Sequence, residues 1–475
     1  MRTKNTHKWF AWKLFALVGL LVLLGPLVLA CTAAGAPKAV VQVAQPAAGA
    51  PAPAPVTGWE TAAARQAGIK LLQTFDSSGS PAWDAQKHPM VFITSNGPGY
   101  GGLPSAKVRL PGLTIIDATT KEVVASQWYD LKYKIADEAA ASASEPHSLG
   151  VSGDGKWIYL PAVDPGAPAD DRGRLLVIDA RTLKLRQVIG TQRLPHHSKV
   201  LHPGGKNLML VYDFGGSGIY ILDVDNDNKV VAVISDQDVG GRRYLAFPDP
   251  KHETIWATIR PQSGVEADGW VSIISTKDWK VKKSITVGES PIWVTFTADG
   301  KFAYVDNGHD DTYTKIDAVK QEAIGEARSG GHGPYGMALT WDEKELWFIN
   351  KGEGSHNRGK TVSYVDPIAM GRPKDEFFTG GIRGDHIYLH PDPKVNEFWL
   401  TMNSSFEVVV FDPVKKAVKT RIPMPDGGST HSGAFVQYTV SGSDWKGEVL
   451  YDHGGAHGAT LAKRAEMAAA AAQKK

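Results

Sequence analysis

The sequence predicts an all-β fold built from a repeated unit of four short strands. Its 475 residues include 50 Gly, 29 Pro and 14 Trp, a composition typical of many tight turns that join aromatic-bearing strands. A hydrophobic fraction of 42% supplies a sizeable core and excludes a disordered, collagen-like or coiled-coil chain. The strongest observation is a strand pattern that returns along most of the chain.

Each repeat contains an apolar strand, a turn such as Asp-Gly-Lys, an aromatic-rich strand, a third apolar strand and a fourth polar–apolar strand. The third strand ends in Asp or Ser at seven places that lie 42 to 62 residues apart. These places are Asp117, Asp179, Asp223, Ser275, Asp317, Asp366 and Asp412. A period mostly in the forties with four strands per unit is typical of a β-propeller blade.

The ends of the repeat predict how the ring closes. One small sheet cannot bury both of its faces, so blades stack around an axis and the ring must close. After Asp412 the chain has one more first strand from His431 and one more second strand from Gly447, and then no third strand. We expect the strand IKLLQTF at residues 69–75 to complete this split blade. Seven whole units and one split unit favour eight blades, and seven is the alternative because the first inner strand, near residues 81–83, is weak.

The N-terminal segment has the layout of an export signal. Four basic residues precede an almost wholly apolar run at residues 14–30. The run ends Val-Leu-Ala-Cys, which resembles a bacterial lipobox, so we expect Cys31 to be lipidated; an uncleaved membrane anchor is the alternative. Either way, the protein is expected to be exported and held at the periplasmic or cell-surface side of the cytoplasmic membrane.

Composition divides the chain and limits its partners. We assign residues 1–31 to the signal peptide, 32–57 to an Ala/Pro-rich linker, 58–458 to the propeller and 459–475 to an Ala/Lys-rich tail, which we expect to form a short exposed helix. The formal net charge is only +2, which gives no electrostatic case for a nucleic-acid partner. The single cysteine excludes disulfides within the chain, Cys-ligated zinc, iron–sulfur clusters and Cys-x-x-Cys-His heme attachment.

Candidate binding residues lie at the start of the innermost strand of each unit, where the loops of a propeller surround its channel. Four of the seven aligned positions are histidine, although the chain has only 15: they are His147, His197, His386 and His431. Tyr244, Ile292 and Tyr335 occupy the other three. A neutral imidazole can ligate a transition metal or heme iron, so this set predicts a site for a metal, heme iron or an anionic ligand. The structural alternative is that each imidazole bonds the backbone of a neighbouring blade.

A second group of candidates is basic. Arg242 and Arg243 precede Tyr244, and Arg383 precedes His386. Guanidinium groups at the start of an inner strand suit carboxylates or phosphates, and pairing with acids of adjacent blades is the alternative. Further polar residues lie beside the histidine positions: His196, His332, Asp385 and Lys199.

The repeat units resemble a known superfamily. PHSLGVSGDGKWIYLPA at residues 146–162, followed by GRLLVIDARTLKLRQVIG at residues 173–190, is similar to the YncE-like and cytochrome d1-type propellers, over roughly residues 68–455. An exported lipoprotein without a c-type heme domain is similar in layout to the heme d1 biogenesis lipoproteins of denitrifying bacteria. Without Cys-x-x-Cys-His the chain has no built-in route for electrons, so we do not expect it to reduce nitrite alone.

This resemblance implies a d1-type tetrapyrrole on the channel face, with one histidine near iron and basic residues near the carboxylates. The histidine would be His147, His197, His386 or His431, and the basic residues Arg242, Arg243 or Arg383. Copper-binding propellers such as nitrous oxide reductase and methanethiol oxidase also use channel histidines, so copper is the alternative cofactor.

Three functions follow from these observations. The first is a membrane-tethered propeller that holds a metal-containing cofactor or small ligand on its histidine face, with heme d1-type handling as the specific expectation. The second is an interaction scaffold without catalysis, which docks an envelope or redox protein. The third is a copper- or iron-dependent oxidoreductase, or a metal-dependent lyase, that uses His332 or Tyr335 as an acid–base group.

Overall fold

The computed structural model describes residues 58–85, 88–95, 110–129, 147–164, 167–216, 218–261, 267–352 and 359–473, with the backbone of residues 41–44. The predicted signal peptide and the lipidation site at Cys31 lie outside these residues. The described chain is all-β, as expected, and its strands form seven sheets arranged as the blades of a propeller.

Two blades draw on the N-terminal part of the described chain. Its elements are β1 (Val41–Ala44), α1 (Ala62–Gln66), β2 (Lys70–Thr74), β3 (Met90–Thr94), β4 (Gly112–Asp117), β5 (Val123–Tyr129), β6 (Gly150–Val151), β7 (Trp157–Val163), β8 (Gly173–Asp179) and β9 (Leu185–Thr191). Blade I contains β3, β4 and β5, with β1 parallel to β5 on the outside. Blade II contains β6 to β9.

The next five blades each use four consecutive strands. Blade III has β10 (Leu194–Leu201), β11 (Leu208–Phe214), β12 (Ile219–Asp223) and β13 (Lys229–Ile234). Helix α2 (Asp236–Val239) follows it. Blade IV has β14 (Arg242–Pro248), β15 (Thr254–Arg260), β16 (Asp268–Ser275) and β17 (Val281–Glu289). Blade V has β18 (Pro291–Phe296), β19 (Phe302–Asn307), β20 (Thr312–Asp317) and β21 (Glu322–Arg328).

Blade VI has β22 (Pro334–Leu339), β23 (Leu346–Asn350), β24 (Thr361–Val365) and β25 (Asp375–Phe378), and blade VII has β26 (Gly384–Leu389), β27 (Phe398–Met402), β28 (Glu407–Asp412) and β29 (Ala417–Pro423). The chain ends with β30 (Gly433–Ser441), β31 (Asp444–Asp452), β32 (Gly455–Ala456) and helix α3 (Gly458–Ala472). Short 3-10 turns occur at Pro203–Gly205, Val224–Asn226 and Pro425–Gly427.

The burial of each strand follows from its place in the blade. Inner strands contact the inner strands of neighbouring blades, and β22 and β26 are buried along their whole length. Middle strands such as β23 are also buried on both faces because each blade packs between two others, so their sequences are nearly continuous apolar runs. Outer strands face solvent, and β29 alternates between exposed and less exposed positions.

The repeated Asp or Ser at the end of the third strand has a turn-forming role. In five of the seven hairpins the Asp carboxylate accepts backbone N–H groups from residues two and three positions later, as Asp179 does from Arg181 and Thr182. In all seven hairpins the residue four positions later has a positive φ: Lys121, Leu183, Asp227, Trp279, Gln321, Met370 and Lys416. One hairpin geometry therefore sets the repeat that the sequence shows.

Ring closure joins the two ends of the chain, as predicted, but the number of blades is seven and not the favoured eight. Strand β30 pairs antiparallel with β3, with Met90 opposite Val436, and so becomes the inner strand of blade I. Residues 81–83 form no strand; the Trp83 indole packs against Phe92 and Tyr438 instead. The weak first unit and the last inner strand, which we expected to belong to two blades, are parts of one.

The strand predicted to complete the split blade lies elsewhere. Strand β2 adds a fifth, outermost strand to blade II, antiparallel to β9 with Lys70 opposite Gly190. The preceding segment ties blade II to blade III, because the Trp59 indole N–H donates to the carbonyl of Asp227 at 2.8 Å. Strand β31 was expected as the second strand of that blade, but it pairs on the other side of β30, away from β3.

Helix α3 is formed by most of the C-terminal tail, where we expected a short exposed helix. It is partly buried, since the Arg464 side chain is enclosed and lies 3.3 Å from a carboxylate oxygen of Glu343. Among the helices of the described residues, none combines the length and the hydropathy that crossing a membrane requires.

Candidate functional site

The starts of the inner strands bring the four predicted histidines together. His147 precedes β6, His197 lies on β10, His386 lies on β26 and His431 precedes β30. The His147 ring centroid is 4.3 Å from that of His431 and 5.0 Å from that of His197, and His197 is 5.5 Å from His386. Residues from four separate blades therefore form one cluster, which we call the histidine cluster together with His196.

A recurring irregularity of the backbone lies at the positions of His197 and His386. The register between the first and second strands of blade III shifts between Pro195 and His197. Blades IV to VII have a shift at the same place, for example between Gly384 and Ile387 in blade VII. A bulge can turn consecutive side chains toward one region. His196 and His197 accordingly lie together, with their Nδ1 atoms 2.7 Å apart.

The nitrogen atoms of three histidines are spaced as metal ligands would be. One nitrogen from each of His147, His196 and His197 lies within 4.8 Å of the others. Nitrogens that bind one tetrahedral ion at about 2.0–2.1 Å lie about 3.3 Å from each other. The Nε2 atoms of His197 and His386 are 3.2 Å apart, which brings a fourth imidazole to the same group. His147 Nδ1 is buried and has no hydrogen-bond partner among the described residues.

Asp385 organises the other side of the cluster. Its Oδ2 atom lies 2.6 Å from Nδ1 of His431 and 3.1 Å from Nδ1 of His386, and its Oδ1 atom lies 2.6 Å from the Lys351 ammonium. Burial raises the pKa of Asp385, but Lys351 and the two imidazoles outweigh burial and hold this pKa well below its usual range. Asn403 Nδ2 lies 2.5 Å from Nε2 of His431. Both nitrogens of His431 are thus engaged, and this histidine serves to order the cluster.

Four imidazoles of the cluster, those of His147, His196, His197 and His386, are neutral at physiological pH. Burial lowers the pKa of His147, His196 and His197 well below 6.5. Neighbouring histidines and lysines lower it further, whereas Asp385 has the opposite, smaller effect on His147 and His196. Burial also lowers the pKa of His386 to about 4, although Asp385 acts in the opposite direction. A neutral imidazole has a lone pair for a metal, so the environment favours the ligating form.

Aromatic side chains from blades IV to VI wall the cluster on one side. The Trp293 ring centroid is 5.0 Å from His386, and that of Tyr335 is 5.7 Å from His386. The hydroxyl groups of Tyr244 and Tyr335 are 3.3 Å apart. The Lys351 ammonium lies 3.5 Å from the Tyr335 ring centroid, which links this wall to Asp385. Both predicted tyrosines therefore lie beside the predicted histidines.

The predicted basic residues separate into two kinds. Arg243 is buried, forms an ion pair with Asp236 and donates at 2.9 Å to the carbonyls of Asp213 and Gly216, so its guanidinium has a structural role. Arg242 is exposed.

The Arg242 guanidinium lies 5.1 Å from the Phe214 ring, which is itself 5.4 Å from the ring of His196. Arg383 is also exposed, two residues before Asp385. His332 is half exposed and its Nδ1 lies 2.7 Å from a carboxylate oxygen of Asp311, so it is engaged outside the cluster.

Sequence reasoning missed His453, which follows β31. Its ring centroid lies 5.1 Å from that of His197 and 6.0 Å from that of His386. Its Nε2 atom is 3.3 Å from the Ser148 hydroxyl. The residue follows a strand outside the repeat, so alignment of the repeats gave no signal for it. Lys351 and Asn403 were missed because they follow second strands, and the alignment was made on first strands.

Comparison with known proteins gives a likeness of fold. No protein-family model and no curated protein matches the sequence. A 6-phosphogluconolactonase-like protein of Bacteroides uniformis is 15% identical with a TM-score of 0.51, over 73% of this chain and all (100%) of its own. Dihydro-heme d1 dehydrogenase NirN in complex with DHE is 17% identical with a TM-score of 0.47, over 78% of this chain and 75% of its own.

Hydrazine synthase of Kuenenia stuttgartiensis is 16% identical with a TM-score of 0.49, over 72% of this chain and 99% of its own. Likeness at such identities concerns the fold alone. This chain has the fold of a β-propeller, as its predicted resemblance to YncE-like and cytochrome d1-type proteins implies.

Proposed function

We propose that this protein binds a transition-metal ion, alone or within a cofactor, at the histidine cluster. The observation that supports the proposal is the convergence of nitrogens from His147, His196 and His197 within 4.8 Å. Imidazole ligands suit zinc, copper, iron and nickel. Such a metal would supply Lewis acidity or, if copper or iron, electron transfer.

The residues around the cluster have the roles that a metal site requires. Asp385 orients the His386 and His431 rings through their Nδ1 atoms, an arrangement that leaves Nε2 of His386 available. The Lys351 ammonium balances the charge of that carboxylate. Trp293 and Tyr335 exclude water from the neighbouring side, which favours neutral imidazoles.

The cluster has two candidate occupants. The first is a metal ion alone, and copper, as in other propellers with channel histidines, is its simplest form. The second is a heme d1-type tetrapyrrole. The tetrapyrrole is favoured by Arg242, which is exposed near His196 and suits a carboxylate. His147, which is only partly buried and has an unbonded Nδ1 atom among the described residues, would be its iron ligand.

The decisive experiment combines metal analysis with an absorption spectrum of protein purified from its native host. We expect about one metal equivalent per chain, and loss of that metal in a His147→Ala, His197→Ala double variant. His332→Ala, which changes a half-exposed histidine outside the cluster, is the matched control and should retain the metal. Visible bands of a macrocycle would identify the tetrapyrrole. A wild-type protein with no more metal than the double variant would refute both candidates.

We further propose that the site operates outside the cytoplasm, with the chain tethered through Cys31. Support comes from the basic and apolar N-terminal segment and its lipobox-like end. Mass spectrometry of the mature N-terminus tests this: a diacylated Cys31 is expected, and an unprocessed Met1 would support the uncleaved anchor instead. The scaffold role predicts a stoichiometric envelope or redox partner in pull-downs that survives alanine at all four predicted histidines.

A further inference from the structure

The C-terminal hairpin, strands β31 and β32 with the turn between them, stands outside the repeat. Strand β31 pairs with β30 from Ala434 to Ser441, on the side opposite β3. Strand β32 then pairs back on β31, with Tyr451 opposite Ala456. Because β30 is the inner strand of blade I, the hairpin lies on the channel side of that blade.

The hairpin fills the channel behind the histidine cluster. Residues 451–457 line a small cavity of about 30 Å³ together with residues of the inner strands β14, β18, β22 and β26. A volume of this size holds only one or two water molecules. Strand β31 also contacts β26 directly. The hairpin thus reaches the inner strands of five blades, and the cluster faces a filled channel on this side.

The tip of the hairpin delivers His453 to the cluster. This side chain is 2% exposed, and its ring is 5.1 Å from His197, 6.0 Å from His386 and 6.2 Å from Trp293. Nε2 faces the Ser148 hydroxyl at 3.3 Å, while Nδ1 has no hydrogen-bond partner among the described residues. A buried imidazole with one unbonded nitrogen is costly unless something satisfies it.

The polar contacts that shape the tip lie mostly within the C-terminal segment itself. Asp452 Oδ1 accepts the backbone N–H of Gly454 at 2.6 Å and lies 3.0 Å from Nε2 of His457. Asp452 Oδ2 accepts the N–H of Val200 at 3.4 Å, a long contact to blade III. The hairpin is therefore a unit with its own internal bonds, joined to the blades chiefly by pairing with β30 and by packing.

We propose that this hairpin is a wall of the metal site, and that His453 contacts the metal or its bound ligand from the channel side. Metal binding and docking of the hairpin against the blades then favour each other, because the metal loses the His453 donor when the hairpin is undocked. This inference rests on the proposed function. It assigns the C-terminal segment a part in ligand binding, which no blade repeat would indicate.

Hydrogen exchange of the full-length chain tests the coupling, with Zn²⁺ alone as the probe. We expect saturating Zn²⁺ to slow amide exchange in residues 444–457 by at least about tenfold, since a ligand that prefers the docked state stabilises it. His453→Gln should abolish this slowing and weaken Zn²⁺ binding by the same factor, as linkage requires. Glu448→Gln, an exposed change on β31, is the matched control and should behave as wild type.

Each outcome decides the question. If the wild type binds Zn²⁺ but exchange in the hairpin is unchanged, the inference is wrong and the proposed function stands. If His453→Gln folds and binds Zn²⁺ with wild-type affinity, the inference is also wrong. If His453→Gln fails to fold, the wild-type exchange measurement alone decides. If the wild type binds no Zn²⁺ and no Cu²⁺ above the double variant His147→Ala, His197→Ala, both proposals fail.

Discussion

The ring divides into two parts that use one backbone position for different side chains. In blades I, II, III and VII this position is histidine, and we call these blades the histidine half. In blades IV, V and VI it is Tyr244, Ile292 beside Trp293, and Tyr335, and we call these blades the aromatic half. The register shift at the start of the inner strand occurs in both halves.

This comparison separates what the backbone provides from what the side chains decide. In blades III to VII the bulge prepares the inner strand to present residues toward the cluster, whatever those residues are. The histidine half then supplies donors, and the aromatic half supplies a dry wall. The two halves meet at Lys351, which follows β23 of blade VI, contacts the Tyr335 ring and pairs with Asp385 of blade VII.

The largest loss of stability is expected from a change at the Lys351–Asp385 pair, where the two halves meet. Asp385→Asn removes the carboxylate 2.6 Å from the Lys351 ammonium, where neither side chain is more than 5% exposed. Loss of this carboxylate beside a buried ammonium should lower the free energy of unfolding by about 3–5 kcal/mol, measured by denaturant titration. Asp171→Asn, which breaks an exposed pair with Lys70, should cost less than about 1 kcal/mol. Equal losses in the two variants would contradict the buried junction.

The second largest effect is expected in the pH dependence of the free energy of unfolding, which involves the residue at the other end of the inner strand. His390 follows β26 in the histidine half, whereas Thr297 and Thr340 hold that place in blades V and VI of the aromatic half. Burial lowers the pKa of His390 to about 4, with smaller effects of neighbouring charges. Below pH 6.5 the unfolded chain binds a proton there and the folded chain does not. The stabilising contribution is therefore complete above pH 6.5 and is lost as the pH falls toward 4.

The slope from this one group is at most about 1.4 kcal/mol per pH unit. His390→Thr should flatten the dependence of the unfolding free energy on pH between 6.5 and 4.5. Thr340→Ser, a change at the equivalent position of blade VI that removes no titratable group, is the control and should leave the slope as it is. The cluster histidines, whose pKa values are also lowered, keep the rest of the slope; parallel curves for wild type and His390→Thr would show that His390 contributes nothing to it.

A smaller loss of stability is expected when glycines at closely packed inner strands are changed to alanine. A Cβ atom on Gly150 in β6 would lie 2.5 Å from the carbonyl oxygen of Ser198 in β10. Gly150→Ala should therefore cost about 1–3 kcal/mol, because two backbones of the histidine half must separate. At Gly336 in the aromatic half the nearest backbone oxygen, of Asp385, would lie 2.9 Å away, so a smaller loss is expected.

Gly371→Ala is the control for both substitutions, since a Cβ there meets no atom within 4 Å. Thermal unfolding of the three variants checks the order. A loss for Gly336→Ala as large as that for Gly150→Ala would mean that the halves are packed equally tightly.

The smallest effect is expected in the aromatic wall. Tyr335→Phe removes a hydroxyl that lies 3.3 Å from the Tyr244 hydroxyl but keeps the ring next to Lys351. The free energy of unfolding should fall by about 1 kcal/mol, and metal content should not change. Loss of the metal in this variant would place Tyr335 in the binding site itself and remove the distinction between donors and wall.

Much of the fold was predictable because turn chemistry repeats in the sequence. Asp179 and its equivalents mark a hairpin that is nearly the same in every blade, so the third strands were located correctly. The number of blades was not predictable in this way, since a repeat shows how many inner strands exist but not which sheet each one joins. Strand β30 and residues 81–83 show the difference: a strand 338 residues away along the chain supplies what the local sequence lacks.

The candidate site was predictable in part for the same reason. Alignment of the repeats located His147, His197, His386 and His431, which do meet. It gave no signal for His453, because that residue lies outside the repeat, or for Lys351, because burial beside Asp385 depends on tertiary packing. The two arginines of blade IV look equivalent in sequence, yet one is buried with Asp236 and the other exposed. A single-residue difference in strand register separates them.

The pairing of β3 with β30 also sets an order on folding. During synthesis strands β1, β3, β4 and β5 of blade I leave the ribosome early, but their inner neighbour β30 follows only after the other six blades have been made. Until then one edge of β3 is open to pair with other chains, a state that favours aggregation. The sheet made earliest is thus completed last, so a chain truncated before β30 is expected to aggregate and not to form a stable smaller ring.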